Sequence, residues 1–285
     1  MDNKKRMVIQ GIATLIQNAN IKGFFTGKIY EGTAKNVCVP GLNCYSCPGA
    51  TYACPIGSLQ NAISSYKFKF PYYVLGLLIF FGAILGRLIC GFICPFGFIQ
   101  DLLHKIPFPK KIKNFKGDRL LRKLKYVILV LMVLILPIFF KFTPVFCKYL
   151  CPSGTLAGIL LSITNTELFA VLGKLFTWKL SVLIVIVLLS VMIYRPFCKY
   201  LCPLGAFYAP FNKISVVQLN VDKDKCVNCN MCQKVCDMCV NPVINPNDTE
   251  CIRCGKCINS CPKGALKYTT SFFRFVGYNI IRKRR

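Results

Sequence analysis

Long apolar runs alternate with short polar stretches along this chain, and most of the runs end at a pair of cysteines. From Pro71 the sequence reads PYYVLGLLIFFGAILG without a charge before Arg87, the pattern of a membrane helix. A second run, Leu121 to Phe140 with Pro137 near its end, and a third, Leu175 to Tyr194, predict two more spans. Trp178 and Tyr194 stand at the ends of the last one, as interfacial anchors do. Residues 7–25 are interrupted by Gln10, Gln17, Asn18, Asn20 and Lys22. They read as an uncleaved span or a deeply set interfacial helix, with a cleaved signal peptide as the competing reading. Thr155 to Phe176 is placed along the outer interface, because TLAGILLSI is too short to cross and TELFAVLGKLF is amphipathic. The pattern predicts an all-α membrane bundle of about four transmembrane helices.

Composition agrees with that class: 54% of the 285 residues are hydrophobic and 16% charged. The loop from His104 to Lys125 carries nine Lys and Arg residues against Asp118 and reads as cytoplasmic by the positive-inside bias. The net charge of +27 suits anionic lipid and acidic protein partners. It does not suggest nucleic acid, because the basic residues mostly flank apolar runs. The tail IIRKRR continues the same bias. A single histidine, His104, rules out bis-histidine haem within the chain, and ten Asp and Glu residues leave little for acid-base catalysis.

The chemistry lies in 19 cysteines. RLICGFICPFG (Arg87 to Gly97), PVFCKYLCPSG (Pro144 to Gly154) and RPFCKYLCPLG (Arg195 to Gly205) repeat one motif, C-x3-C-P-x-G. If the helix continues through it, that spacing puts both sulfurs on one face a turn apart. Each copy then offers two thiolates, half of a four-coordinate site. The loop CVPGLNCYSCPGATYACPIGSLQ, with Cys38, Cys44, Cys47 and Cys54, ends in C-P-I-G and reads as a degenerate fourth copy. The predicted topology groups Cys90, Cys94, Cys198 and Cys202 at the inner face. Outside it leaves Cys147 and Cys151 with the loop, where Cys47 and Cys54 complete the set by analogy of the C-P-x-G endings. Cys38 and Cys44 are left to substitute for members of that set, to form a disulfide, or to bind something separate.

The C-terminal cysteines carry the most specific pattern. Cys226, Cys229, Cys232 and Cys236 form C-x2-C-x2-C-x3-C, repeated by Cys251, Cys254, Cys257 and Cys261 with Pro262 behind. This is the spacing of bacterial two-cluster ferredoxins, in which each fourth cysteine ligates the other run's cluster. Cys226, Cys229, Cys232 and Cys261 then hold one [4Fe-4S] cluster, and Cys251, Cys254, Cys257 and Cys236 the second. The first run lacks the usual proline, and Cys239 is a possible substitute for Cys236. Structural zinc is the competing use of such thiolate sets; the iron-sulfur spacing of the tail favours clusters.

The C-x3-C-P repeats at span ends, followed by a twin-cluster ferredoxin unit, resemble the membrane polyferredoxin family of NapH-type 4Fe-4S proteins. The resemblance covers about Tyr72 to Lys267. It implies a membrane-bound iron-sulfur electron-transfer protein between a cytoplasmic or quinol donor and an exported acceptor, with an electron-transfer subunit more in keeping than a stand-alone oxidoreductase. The third C-x3-C-P copy and the 38–54 loop depart from the simplest family pattern. The alternatives are a redox or metal-maturation protein, or an anchor subunit, for an exported redox enzyme.

The expected organisation is an N-terminal helix and loop (1–70), a transmembrane part (71–214), a small α+β ferredoxin-like 2[4Fe-4S] domain (215–270) and a basic tail (271–285). Two clusters are expected in the ferredoxin domain and two more in the membrane part. The expected partners are the membrane, an acidic redox protein or flavoprotein donor, and an exported or membrane acceptor. The expected location is the cytoplasmic membrane, multi-pass, with the ferredoxin domain inside.

Overall fold

Each copy of the cysteine motif folds as two helices meeting at a break, in the computed structural model that describes residues 3–65, 70–109, 111–140, 143–164 and 173–270. The first cysteine lies in a five-residue helix: Leu88–Phe92, Val145–Tyr149 or Pro196–Tyr200. The second precedes another helix, Pro95–His104, Pro152–Thr164 or Pro203–Tyr208. Proline causes the break. It has no amide hydrogen to lose at a helix start, and it biases the residue before it to extended backbone. Cys94 and Cys202 are accordingly extended, as is Cys54 before Pro55–Ser64 in the degenerate copy. The two cysteines of a copy therefore do not stack on one helical face; the second caps a new helix, whose N-terminal amides favour a thiolate.

Among the described residues one helix, Lys174–Met192, is long and apolar enough to cross a membrane, with mean hydropathy 2.4. This corrects the expectation of about four transmembrane helices. Tyr72–Leu85 stops after 14 residues because Gly86, at φ 55°, turns the chain into Arg87. The run from Leu121 to Phe140 is not one α-helix. A charged helix, Asp118–Ile128, passes into π-helical turns at Leu129–Ile135 and then Leu136–Phe139. Pro137, lacking an amide donor, lies just beyond those widened turns. Residues 165–172 of the predicted interfacial stretch and the basic tail, 271–285, lie outside the described residues. Only 17% of the apolar window of Lys174–Met192 is buried, unlike a core helix, which is covered all round.

The N-terminal helix, Asn3–Gln17, is inverted relative to a helix of a water-soluble protein. Its buried residues are Arg6, Gln10 and Gln17, while Val8, Ile12, Leu15 and Ile16 are exposed. After Ser215, regular structure among the described residues is a two-stranded antiparallel sheet, Val217–Val221 with Leu266–Thr270, and two one-turn helices, Met231–Lys234 and Lys256–Asn259. Val217 pairs with Thr270 and Val221 with Leu266. One apolar core runs from Ile56 and Leu78 through Ile89, Phe197 and Tyr208 to Met238, Val240 and Ile252. Packing is continuous across residue 214.

Candidate iron-sulfur sites

Cys90, Cys94, Cys198 and Cys202 converge from two copies of the motif. All four are buried, and all six pairs of their sulfurs lie within electrostatic reach of one another. Gln100 Nε2 donates to Cys198 Sγ at 3.1 Å, and the Gly205 amide to Cys202 Sγ at 3.4 Å. The glycine of C-P-x-G has a packing reason. A Cβ on Gly97 would stand 3.0 Å from Cys90 O and 3.2 Å from Arg195 Nη1, and one on Gly205 would stand 3.3 Å from Cys198 O. Without side chains there, the arginine of each copy reaches the other. Arg195 Nη1 donates to Cys90 O, and Arg87 Nη2 to Cys198 O at 3.4 Å.

A second set lines a cavity of about 330 Å³: Cys44, Cys54, Cys147 and Cys151. Again all six sulfur pairs interact. Cys44 stands where the analogy of C-P-x-G endings placed Cys47. The Cys47 amide bonds back to Cys44 O at 3.1 Å, and its thiol lies in the field of Lys35, outside that lining. Cys38 also lies outside the lining, with its Sγ 3.4 Å from Ser58 Oγ. Gln60 repeats the acceptor contact of Gln100, while its Nε2 donates to Met132 O at 3.2 Å rather than to a sulfur. Its Oε1 accepts from the Cys147 amide at 3.5 Å, as Gln100 Oε1 accepts from Phe197 N at 3.2 Å.

Two further sets line separate cavities in the C-terminal unit. Cys226, Cys229, Cys232 and Cys261 share one with Val221, Val243 and Leu266. Cys236, Cys251, Cys254 and Cys257 share the other with Tyr194, Met238 and Tyr268. Cys239 does not join them; its thiol donates to Lys113 O at 3.0 Å. The second cysteine of each run is flanked by left-handed residues, Asn228 and Asn230 around Cys229, Arg253 and Gly255 around Cys254. Such alternation turns successive amides toward a common concavity, a nest for an anionic group.

The donor chemistry fits cubanes better than single ions. Among the described residues no three His, Cys, Asp or Glu side chains converge tightly enough for one metal ion, whereas tetrahedral zinc would hold thiolates about 4 Å apart. A cubane spreads its four thiolates, one to each iron. Without iron, burial pushes the Cys251 and Cys257 thiols up to about 12. These thiols are protonated until iron compensates their charge, so loading releases protons.

A sequence profile described as a 4Fe-4S binding domain matches residues 51–73, 70–116, 124–166 and 175–221, and a second of that description matches 244–267. The chain belongs to the 4Fe-4S polyferredoxin family. It is 34% identical to an uncharacterized protein of Methanocaldococcus jannaschii over 66% of this chain and 74% of that protein. A second uncharacterized protein of that organism is 32% identical, over 65% of each chain. The ferredoxin-type protein NapH of Haemophilus influenzae is 28% identical over 69% of this chain and 67% of its own. No solved structure matches. Membership makes [4Fe-4S] clusters the cofactor and iron-sulfur electron transfer the role.

Sequence reasoning passed over Gln60 and Gln100, the crossed arginines and the polar face of the first helix. The glutamines were visible in the repeat. Both C-P-I-G-S-L-Q and C-P-F-G-F-I-Q place Gln six residues after the cysteine.

Proposed function

We propose that the four cysteine sets each hold a [4Fe-4S] cluster and that the chain relays electrons between a cytoplasmic or quinol donor and an acceptor at the outer face of the membrane. When bound, each cluster supplies one-electron storage without bond chemistry. The observation that carries this reading is that short pieces of backbone join the sets end to end.

The two C-terminal sets exchange their fourth ligands, Cys236 and Cys261. From there Cys251 leads to Ile252, whose carbonyl packs on Gly91, the neighbour of Cys90, so closely that a Cβ on Gly91 would lie 2.5 Å away. Beyond, the Leu42 amide points at Cys94 Sγ and the next amide, Asn43, at Cys54 Sγ. One peptide unit thus separates the inner set from the set in the large cavity. Tyr208, fully buried with its hydroxyl donating to Pro40 O at 3.1 Å, fills the space between them.

Contacts also support the placement. The basic loop holds the ferredoxin unit: Lys113 Nζ donates to Lys234 O at 3.0 Å and Arg122 Nη2 to Met238 O at 3.1 Å. Both therefore lie on one side, the cytoplasmic one by the positive-inside bias. Lys174–Met192, about 28 Å long at 1.5 Å per residue, runs from Trp178, which donates to Tyr149 O, to the neighbourhood of Tyr194 in the second ferredoxin cavity. Lys225 and Lys263 line the first cavity, a surface suited to an acidic redox protein or a flavoprotein with an acidic face.

The test is iron and acid-labile sulfide on anaerobically purified chain, then transfer across sealed vesicles. The expected values are about 16 iron atoms for the wild type and about 12 for Cys151→Ser. That variant is expected to keep the ferredoxin EPR signals and lose transmembrane transfer. Undiminished transfer would overturn the relay, and about 8 iron atoms in the wild type would overturn four clusters.

A further inference from the structure

We infer that Glu250, a residue of the ferredoxin unit that ligates no iron, sets the reduction potential of the cluster held by Cys90, Cys94, Cys198 and Cys202, acting through Arg87. The inference rests on the proposed reading that those four cysteines hold a cluster.

In two of the three complete motif copies an arginine stands three residues before the first cysteine, Arg87 before Cys90 and Arg195 before Cys198; the third copy has Pro144 there. Both guanidinium groups are fully buried, and a guanidinium does not give up its proton in a protein. Each crosses to the first-cysteine carbonyl of the other copy, so the four-cysteine site is bracketed by two permanent positive charges. Each charge is answered by a carboxylate that bridges two cations. Asp101 lies between Arg195, at 2.6 Å to each of its oxygens, and Arg6 at 2.8 Å. Glu250 lies between Arg87 at 3.0 Å and Lys125 at 2.5 and 2.6 Å.

The two triads match in charge, one net positive each, and differ in origin. Asp101 belongs to the helix that Cys94 caps and is intrinsic to the site. Glu250 immediately precedes Cys251, the first ligand of the neighbouring ferredoxin set. Glu250 accepts hydrogen bonds from both Arg87 and Lys125, a pairing that suits the carboxylate. Reduction adds a negative charge to a cluster, and buried charges are poorly screened. Removing Glu250's charge must favour reduction of the neighbour, and removing Lys125's must oppose it. The ferredoxin unit thus supplies part of the field in which the next electron carrier works.

The experiment is an EPR-monitored potentiometric titration of the full-length chain, purified anaerobically in detergent. The inner signal is assigned by its loss in Cys202→Ser. Glu250→Gln is expected to raise the midpoint of that signal by a tenfold change in the one-electron equilibrium, about 59 mV. Lys125→Met is expected to lower it by a similar amount, and Glu250→Asp to leave it at the wild-type value, with iron content unchanged in all three. Opposite signs from the two neutralising variants distinguish an electrostatic role from a structural one. An unmoved midpoint, a shift confined to the ferredoxin signals, or loss of iron in both variants would overturn the inference. A wild type without any inner signal and with about 12 iron atoms would instead overturn the reading beneath it.

Discussion

Cys236 and Cys239 are three positions apart and differ in what their sulfurs touch. Cys236 faces Cys251, Cys254 and Cys257, and its Sγ accepts from the Val240 amide at 3.5 Å. Cys239 is turned away by its own left-handed backbone, φ 56°, and bonds Lys113 O. Cys239→Ser is therefore expected to keep full iron and sulfide, while Cys236→Ser loses about four irons; metal analysis of the two proteins checks both. The fourth-ligand rule made the ferredoxin sets readable from spacing alone. The large-cavity set was not, because Ala50 occupies the place of the first cysteine of C-x3-C before Cys54. The loop supplies Cys44 from six residues further back, and no local pattern says which of three spare cysteines the loop will bring round.

Among the elements, the N-terminal helix departs furthest from what hydropathy suggests. Its polar residues made membrane insertion look marginal, yet they face inward. Arg6 Nη1 donates to Gly91 O at 3.3 Å, Gln17 Nε2 to Ile93 O at 2.8 Å, and the Gln10 amide lies between Asp101 and Arg195. The break between the motif's two helices leaves carbonyls without helical partners, and this helix satisfies them. Its exposed apolar face is then free to meet lipid. Arg6→Leu should destabilise the helical part by about 3–5 kcal/mol, the cost of breaking a buried ion pair, with Asp101 left to Arg195 alone. Thermal unfolding in detergent, compared with Val8→Leu on the exposed face, measures it. The same scale explains why counting apolar residues overstated the spans. Hydropathy sees the run to Phe140 but not the π-helical turns ahead of Pro137, nor the turn that Gly86 makes.

At the scale of the molecule, the ferredoxin unit is built into the helical part rather than tethered to it. Asn212 Nδ2 donates to Asp248 O at 2.8 Å and to Cys251 O at 2.7 Å, and Arg253 reaches Leu85 O and Asn212 O. Gly91 packs against the Ile252 carbonyl with no room for a Cβ. Gly91→Ala forces the 251–254 loop off the Cys90 helix, so electron exchange between the two units is expected to slow severalfold with iron content unchanged. Freeze-quench EPR after rapid reduction would follow it, and a wild-type rate would remove this contact from the route. None of these contacts was legible in the sequence, since they join residues from 36 to 168 positions apart and the motifs announce ligands, not neighbours.

The crossing of distant segments also imposes an order on how the protein is made. Each set of four draws its ligands from two separate motif copies or runs. The inner site can close only once residue 202 has been made, and the first ferredoxin set only once residue 261 has been made. Until then, thiols that end up buried stand open to oxygen and stray metals.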